Sequence, residues 1–433
     1  MNQFNASLWG DEAWAATLAV KPLEQIITLV SRDTSPPFYY LFLHLWMKLG
    51  GFSEIAIRSL SFLFFLLTAS TVYLIGRQWW DKKTGLIAAL FALSNPFLFS
   101  YAFEGRMYAL LVLTTTLSIY FFLKQSTRGF ILAATAAMYT HHFALFVILW
   151  TFLWMIKENY SQGWQVFGKK LRPFLIIGLL YLPWFYPLYY QTSLVSHGFW
   201  LGKPLPLDLW KTSLKFLVGP ATGILPNLAL AAIALTLLLR RWNRPLNKTF
   251  FLIGWFFSPL VLTFLISQKF QSIFYDRYLL STIPAASLLL ASQRHRLSLL
   301  PLAISLFSLF ILEYHYFTQP TKRPFRDYAH YVKLRTANFP LINYNGRAHH
   351  LWESKYYGLD APIYAPQPLP FYAGTALMSP EDTIQELPQA PIIGLVSSTP
   401  PEEIFLPGHQ IVEEKRFDSL FFCWACKIGV PCP

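Results

Sequence analysis

Four short clusters of ionisable and aromatic residues interrupt an otherwise apolar chain: Asp11–Glu12, Glu104–Arg106–Tyr108, His141–His142 and Asp276–Arg277–Tyr278. Carboxylates, imidazoles, guanidinium groups and phenols move protons, hold anions or ligate metals. Each cluster also has a structural reading. Adjacent Asp and Glu at a helix start complement the helix dipole. Glu104 and Arg106 are spaced to pair with each other across a turn, paired histidines in a tight turn serve packing as readily as chemistry, and Asp276–Arg277 reads as a surface ion pair. What favours a site is joint placement. A charge at the centre of a lipid-facing helix costs about 2.5–3.5 kcal/mol on insertion scales, so charges that persist among apolar segments usually line a cavity.

The elements that must position these groups follow from composition. Of 433 residues, 54% are hydrophobic, 18% aromatic and only 13% charged, against about 25% charged in a soluble domain. The net charge of +13 does not point to nucleic acid, because Lys and Arg sit in short clusters between apolar runs, where membrane-orientation signals belong. Those runs fall at 57–76, 84–100, 107–123, 129–140, 143–156, 173–190, 223–239, 249–266, 278–291 and 297–317. The fourth and fifth are short and predict a tight hairpin about His141–His142. A straight crossing of the hydrocarbon core takes about 20 residues.

The loops alternate in charge. One set holds Arg77, Lys82, Lys83, Lys124, Arg128, Lys157, Lys169, Lys170, Arg172, Arg240, Arg241, Arg244, Lys248, Arg294 and Arg296, fifteen basic residues. The other holds six: Arg106, Lys203, Lys211, Lys215, Lys269 and Arg277. The positive-inside rule puts the richer set in the cytoplasm, so all four clusters face outward, as do both chain ends and the 191–222 loop. Counting Pro36–Leu49 as a span would invert every later loop. It reads instead as an amphipathic helix in the outer interface, with Asp11–Val30 as a second. The first fourteen residues lack the basic start and apolar run of a cleavable signal peptide.

After Phe317 the texture becomes rich in Pro, Gly, Asn, Asp and Glu. Ile392–Val396 and Leu420–Phe422 read as strands, and Arg326–Leu334 as a helix with Tyr328, Tyr331 and Val332 on one face. The three cysteines, Cys423, Cys426 and Cys432, crowd the last eleven residues. Outside the cytoplasm a disulfide is permitted. Cys423–Trp424–Ala425–Cys426 has redox-motif spacing but follows a strand rather than opening a helix, which favours a structural role. The fold expected is mainly α. Residues 1–56 form a first extracytoplasmic loop with interfacial helices, 57–317 a polytopic transmembrane helix bundle of about ten spans, and 318–433 a small extracytoplasmic α/β domain.

The residues of the clusters carry a family resemblance. Trp9–Gly10–Asp11–Glu12–Ala13, Ser35–Pro36–Pro37–Phe38–Tyr39–Tyr40, Arg58–Ser59–Leu60–Ser61, Glu104–Gly105–Arg106–Met107–Tyr108–Ala109–Leu110, Tyr139–Thr140–His141–His142–Phe143 and Arg277–Tyr278–Leu279–Leu280 resemble, in order, the GT-C membrane glycosyltransferases. The nearest group is the protein O-mannosyltransferases and aminoarabinose transferases. The resemblance covers roughly 8–317 and implies a plasma (inner) membrane enzyme with its site on the outer face. Such an enzyme moves a sugar from a polyprenyl-phosphate donor to an acceptor lipid, glycan or protein, with inversion at the anomeric carbon. It implies Asp11 as general base, with Glu12 beside it as the next candidate, Arg106 and Arg277 as holders of the lipid phosphate, and Tyr108 and Tyr278 as hydrogen-bond donors to it. Glu104, His141 and His142 would orient these groups or hold a divalent metal.

The chain departs from its relatives in two places. They have a membrane span ahead of the Asp-Glu loop, whereas ten residues precede Asp11. The aminoarabinose transferases carry charged residues before the Pro of the second interfacial helix, where Thr34–Ser35 stand here, which argues against their lipid acceptor. Two other classes compete. A transporter or flippase of lipid-linked sugars would show inverted repeats and charges near the bilayer midplane, but here the charges gather at one interface and no repeat is visible. The other is a non-catalytic scaffold whose outer domain binds a partner.

Overall fold

The computed structural model describes residues 2–196, 198–239, 246–292, 299–335, 339–344 and 348–430. Arg240, Arg241, Arg244, Arg294, Arg296 and Cys432, which entered the charge and cysteine arguments, lie outside them. Two units result. One gathers Met1–Thr34, Tyr40–Ile57 and Gln319–Pro433, the other Ser35–Tyr39 and Arg58–Thr318.

The first unit begins with α1 (Gly10–Ala19), α2 (Leu23–Ser31) and most of α3 (Phe38–Gly50). The stretch expected as one interfacial helix, Asp11–Val30, breaks at Val20–Pro22, where Pro22 stands as N-cap of α2 and removes a backbone donor. The helices of the second unit are α4 (Glu54–Trp79), which starts in the first, α5 (Lys82–Leu93), α6 (Pro96–Ala102), α7 (Tyr108–Leu123), α8 (Thr127–Thr140), α9 (Ala144–Asn159) and α10 (Trp164–Tyr181). There follow α11 (Phe185–Ser196), α12 (Pro206–Val218), α13 (Ile224–Leu238), α14 (Leu246–Lys269), α15 (Ile283–Ala291) and α16 (Leu299–Thr318). The C-terminal part of the first unit holds α17 (Phe325–Arg335) and α18 (Ala348–Tyr356), with strands β1 (Leu341–Asn343), β2 (Ile363–Tyr364), β3 (Thr383–Ile384), β4 (Ile392–Ser397), β5 (His409–Phe417) and β6 (Leu420–Lys427).

The described residues of all ten apolar runs are largely helical, and the chain is a multi-pass membrane protein. Among the described residues, however, only Glu54–Trp79, Trp164–Ser196, Asn247–Lys269 and Leu299–Thr318 are long and apolar enough to cross a bilayer as single helical stretches. The pair α5 and α6 adds a fifth if its 67° bend lies within one span. The other runs are too short for a straight crossing, since at 1.5 Å per residue even α7, with 16 residues, reaches about 24 Å. The bend has a local cause. Asn95 caps α6, accepting the Leu98 N–H at 2.8 Å, and Pro96 opens the new helix, a position where its missing N–H costs nothing. The Asn95 amide also donates to the Phe216 carbonyl at 2.8 Å, so the kink is tied to α12. Close approach elsewhere needs glycine: a Cβ on Gly254 would fall 1.9 Å from the Trp150 ring.

The strands form one sheet, ordered β3-β2-β1-β4-β6-β5. β1, β2, β3 and β4 pair in parallel, while β6 runs antiparallel to β4 and β5. Side chains alternate across β4 and β6. Val396, Leu420 and Phe422 pack with Phe325, Tyr328 and Val332 of α17, and Ile393, Leu395, Cys423 and Ala425 fill the other face. Cys423 is a buried free thiol, pushed up to about 12 by burial and then by Glu414 and Glu402. Cys426 is disulfide-bonded. Two cysteines three apart on a strand point to opposite faces, so the Cys423–Cys426 spacing does not make a redox pair.

Candidate active site

In the second unit, the turn Phe103–Met107 joins α6 to α7. Ser61 of α4 donates to the Glu104 carbonyl at 2.5 Å, and the Arg106 N–H donates to the same carbonyl at 2.8 Å. The Ser61 of the Arg58–Ser59–Leu60–Ser61 motif thus fixes the Glu104–Arg106 turn, and Arg58, one turn earlier on the helix, is fully buried. Tyr108 opens α7 and is 1% exposed.

Asp276–Arg277–Tyr278 begin a 3₁₀ segment, Asp276–Thr282, that leads into α15. Two contacts hold it. The fully buried Trp255 donates its indole N–H to the Ser281 carbonyl at 3.0 Å. Ser267 Oγ accepts the N–H groups of Ile273 at 2.9 Å and Phe274 at 3.0 Å, satisfying two donors of the preceding loop.

These segments converge. Arg277 places its Cζ 4.8 Å from the Tyr275 ring, 5.6 Å from Tyr108 and 5.8 Å from Tyr278, a cation among three aromatic faces. Tyr108 stacks on Tyr278 at 6.3 Å, and His141 lies 5.0 Å from Tyr278 and 6.3 Å from Tyr108. The charges of Glu104, Asp276 and Arg277 all act on Tyr101, whose ring is 5.2 Å from Tyr108. Burial, then His142, Arg106 and Arg277, hold the His141 imidazole well below its ordinary range, so it is neutral. Tyr108, His141, Arg277 and Tyr278 therefore lie together, and the charges of Glu104 and Arg106 act on their neighbourhood.

His142 turns away from it. Its Nδ1 lies 3.0 Å from the Tyr181 hydroxyl and its Nε2 2.7 Å from Gln191 Oε1, so both ring nitrogens are occupied. Burial lowers its imidazole to about 4, against the Gln191 hydrogen bond. His141 Nδ1 accepts the Phe143 N–H at 3.2 Å. Among the described residues no three His, Cys, Asp or Glu side chains gather to hold a metal ion.

Two residues of this site carried no mark in the sequence. Lys215 of α12 is ion-paired with Asp276 Oδ2 and lies 4.7 Å from the Phe97 ring, while Asp276 Oδ1 accepts the Arg277 N–H at 2.6 Å. Lys215 was only one of the sparse basic residues of the outer loops. Tyr101 had no signal beyond standing three residues before Glu104.

Asp11 and Glu12 belong to the other unit. Both lie in the first turn of α1, where negative charge is favoured by the dipole. Glu12 is fully buried. Its Oε2 accepts the Trp9 N–H at 3.4 Å and pairs with Lys322 Nζ at 2.9 Å. Leu8 donates to the Tyr357 hydroxyl at 2.9 Å, and Ser7 accepts the Arg326 N–H at 3.1 Å. The segment leading into α1 is thus moored on α17 and α18, and Glu12 is committed to that mooring. Asp11 is half-buried.

Residues 34–190 match the family model described as dolichyl-phosphate-mannose-protein mannosyltransferase. The sequence has no significant match among curated proteins. The fold is similar to that of ArnT from Cupriavidus metallidurans in the apo state, at 14% identity and a TM-score of 0.64, covering 97% of this chain and 94% of that one. ArnT bound to undecaprenyl phosphate gives the same identity and score over 100% and 96%. The Archaeoglobus fulgidus oligosaccharyltransferase in complex with zinc and sulfate is similar at 12% identity and a TM-score of 0.53, over 90% of this chain and 64% of that one. The fold is thus that of the ArnT structures over nearly the whole chain, and the match to the mannosyltransferase family model covers residues 34–190.

Proposed function

We propose that the protein transfers a sugar from a polyprenyl-phosphate donor to an acceptor hydroxyl at the outer face of the plasma (inner) membrane. The observation that carries this reading is Arg277, seated among Tyr108, Tyr275 and Tyr278 beside a neutral His141. A cation held on aromatic faces is pre-positioned for an anion, and an Arg fork matches a phosphate bidentately. The ArnT relative has been crystallised with undecaprenyl phosphate, a ligand of the same chemistry.

In this reading the acceptor oxygen attacks the anomeric carbon, its proton passes to the Asp11 carboxylate, and the sugar–phosphate bond breaks with both electrons leaving on the phosphate. Arg106 and Arg277 balance the charge that develops there, Tyr108 and Tyr278 donate hydrogen bonds to it, and Glu104 and His141 orient these groups. Preorganised charge at a leaving group is commonly the largest catalytic term. Lys215, next to Asp276, adds a third cation. Glu12 anchors α1 rather than reacting. The acceptor is a lipid, a glycan or a protein. Residues 1–56 supply the first outer loop, 57–317 the membrane bundle and 318–433 the outer domain.

The test is purified protein with a polyprenyl-phosphate sugar and candidate acceptors. Expected is release of polyprenyl phosphate matched by glycosylated acceptor. A protein that carries the intact lipid-linked sugar across a vesicle without cleaving it is a flippase, and this reading then fails.

A further inference from the structure

At the far end of α7 from the Arg277 site, the second unit holds a cavity of about 140 Å³ that the reaction above does not use. Tyr108 opens α7 at the site and Leu123 ends it, so at 1.5 Å per residue the two ends lie about 24 Å apart. The loops at the far end are basic ones. Lys124 and Arg128 flank the turn from α7 to α8, and Lys169, Lys170 and Arg172 lie on α10. The positive-inside rule assigns that end to the cytoplasmic leaflet.

The cavity has two walls of opposite chemistry. Lys169, Lys170, Gln125, Ser126 and Thr127 form the polar one, and among the described residues no Asp or Glu lines it. Phe122, Phe130 and Phe174 stand in the apolar one, with ring centroids 5.6 Å apart for the first pair and 5.1 Å for the second.

The α7–α8 turn shapes the polar wall. Gln125 adopts the left-handed conformation, with φ 60°, which a residue bearing a Cβ takes only at a cost. The turn closes α7, because the Gln125 and Ser126 N–H groups donate to the Phe122 and Phe121 carbonyls at 3.0 Å. Glycine would serve that closure more cheaply. Glutamine adds a side chain whose Oε1 accepts a hydrogen bond from the Lys170 ammonium, which holds that cation at the cavity. Ser126 is the N-cap residue of α8 but makes no side-chain cap bond. The first-turn N–H groups, which a helix leaves without acceptors, therefore remain for an anion.

We propose that this cavity binds the headgroup of an anionic phospholipid from the leaflet at that end of the bundle. The phosphate lies on Lys169, Lys170 and the start of α8, and the first acyl carbons lie against Phe122, Phe130 and Phe174. Two observations favour a lipid over a soluble anion. The volume falls below the roughly 300–1,000 Å³ of pockets that enclose a whole small molecule, so a headgroup enters and the rest of the ligand stays outside. The aromatic wall next to the lysines rewards a ligand that carries hydrocarbon. Basic pockets between membrane helices on the cytoplasmic side suit such headgroups.

Native mass spectrometry of the detergent-purified full chain counts bound lipid, with phosphatidylglycerol as the anionic probe and phosphatidylcholine of the same chains as the neutral one. The wild type should retain one phosphatidylglycerol at concentrations where phosphatidylcholine is lost. Lys169→Gln with Lys170→Gln should weaken phosphatidylglycerol about 30-fold, the attraction of two lysines at a lipid surface. Lys82→Gln with Lys83→Gln removes as much charge from outside the cavity and should leave the affinity unchanged. Equal losses in the two double variants would mean general surface attraction and overturn the site, as would equal retention of the two lipids by the wild type. Inorganic phosphate and glycerophosphoglycerol, the headgroup without chains, should fail to displace the lipid at matched concentration. Displacement by either would make the ligand a soluble anion and overturn the lipid assignment. No readout here needs sugar transfer, so failure of the transfer assay and failure of this site are told apart.

Discussion

Lys215 is ion-paired with Asp276 across 61 residues of chain, and Asp276 is the residue whose other oxygen accepts the Arg277 N–H. One carboxylate thus holds the Lys215 ammonium and the backbone at Arg277 together.

Arg277→Ala should raise the KM for the polyprenyl-phosphate donor about 10- to 100-fold, the loss expected for hydrogen bonds to a charged group. Arg277→Lys should recover little, because an ammonium lacks the planar fork and stacks poorly on Tyr275 and Tyr108. Steady-state kinetics with varied donor check this. An unchanged KM in Arg277→Ala would place the phosphate elsewhere.

Asp11→Asn should lower turnover per folded molecule by about 10²–10⁴-fold, the usual contribution of a general base, and leave donor affinity within about twofold of wild type. If Asp11 only complements the dipole of α1, the loss is instead about 0.3–1 kcal/mol of stability with near-normal turnover. Retention of more than about a tenth of turnover, above the usual residue of a lost base, would rule Asp11 out.

Lys322→Met should destabilise the first unit by about 3–5 kcal/mol, the cost of leaving one partner of a buried ion pair alone, since Glu12 is fully buried. The double replacement Glu12→Leu with Lys322→Met should recover much of that loss. Thermal unfolding of the three variants supplies the cycle, and an undiminished melting temperature in Lys322→Met would show that the pair carries no weight.

His142 should make the protein less stable as pH falls from 6.5 towards about 4. The folded imidazole stays neutral in that window while the unfolded one takes a proton, so acid favours the unfolded state. In His142→Gln that part of the pH dependence should vanish. Melting temperatures of both proteins across the window measure it, and parallel curves would refute it.

Cysteines placed at 157–172 should resist a membrane-impermeant thiol reagent added to sealed cells, whereas cysteines placed at 400–405 should react. The basis is the charge asymmetry of the loops. The opposite pattern would invert the orientation and move the site to the cytoplasmic face.

Much was legible in the chain because local rules wrote it. Ten apolar runs became largely helical in their described residues, Ile392–Val396 and Leu420–Phe422 became β4 and β6, and Arg326–Leu334 fell within α17, since hydrophobic periodicity and turn residues act over a few positions. The site clusters were visible for the opposite reason: Glu104, Arg106 and Arg277 are expensive among apolar neighbours and stand out against them. Lys215 and Tyr101 were not visible. Lysine in a loop and tyrosine at an apolar run's end are ordinary.

What the sequence by itself determined is therefore the membrane class, the order of elements and the resemblance of its motifs, all properties of short windows or of bulk charge. The tertiary structure decided the roles. It gave Glu12 to Lys322, His142 to Tyr181 and Gln191, and Asp276 to Lys215, in each case by bringing together side chains that lie tens to hundreds of residues apart. The physical reason is that a titratable group's task depends on its partners and its burial. Both are set by packing, which no local window of the chain contains.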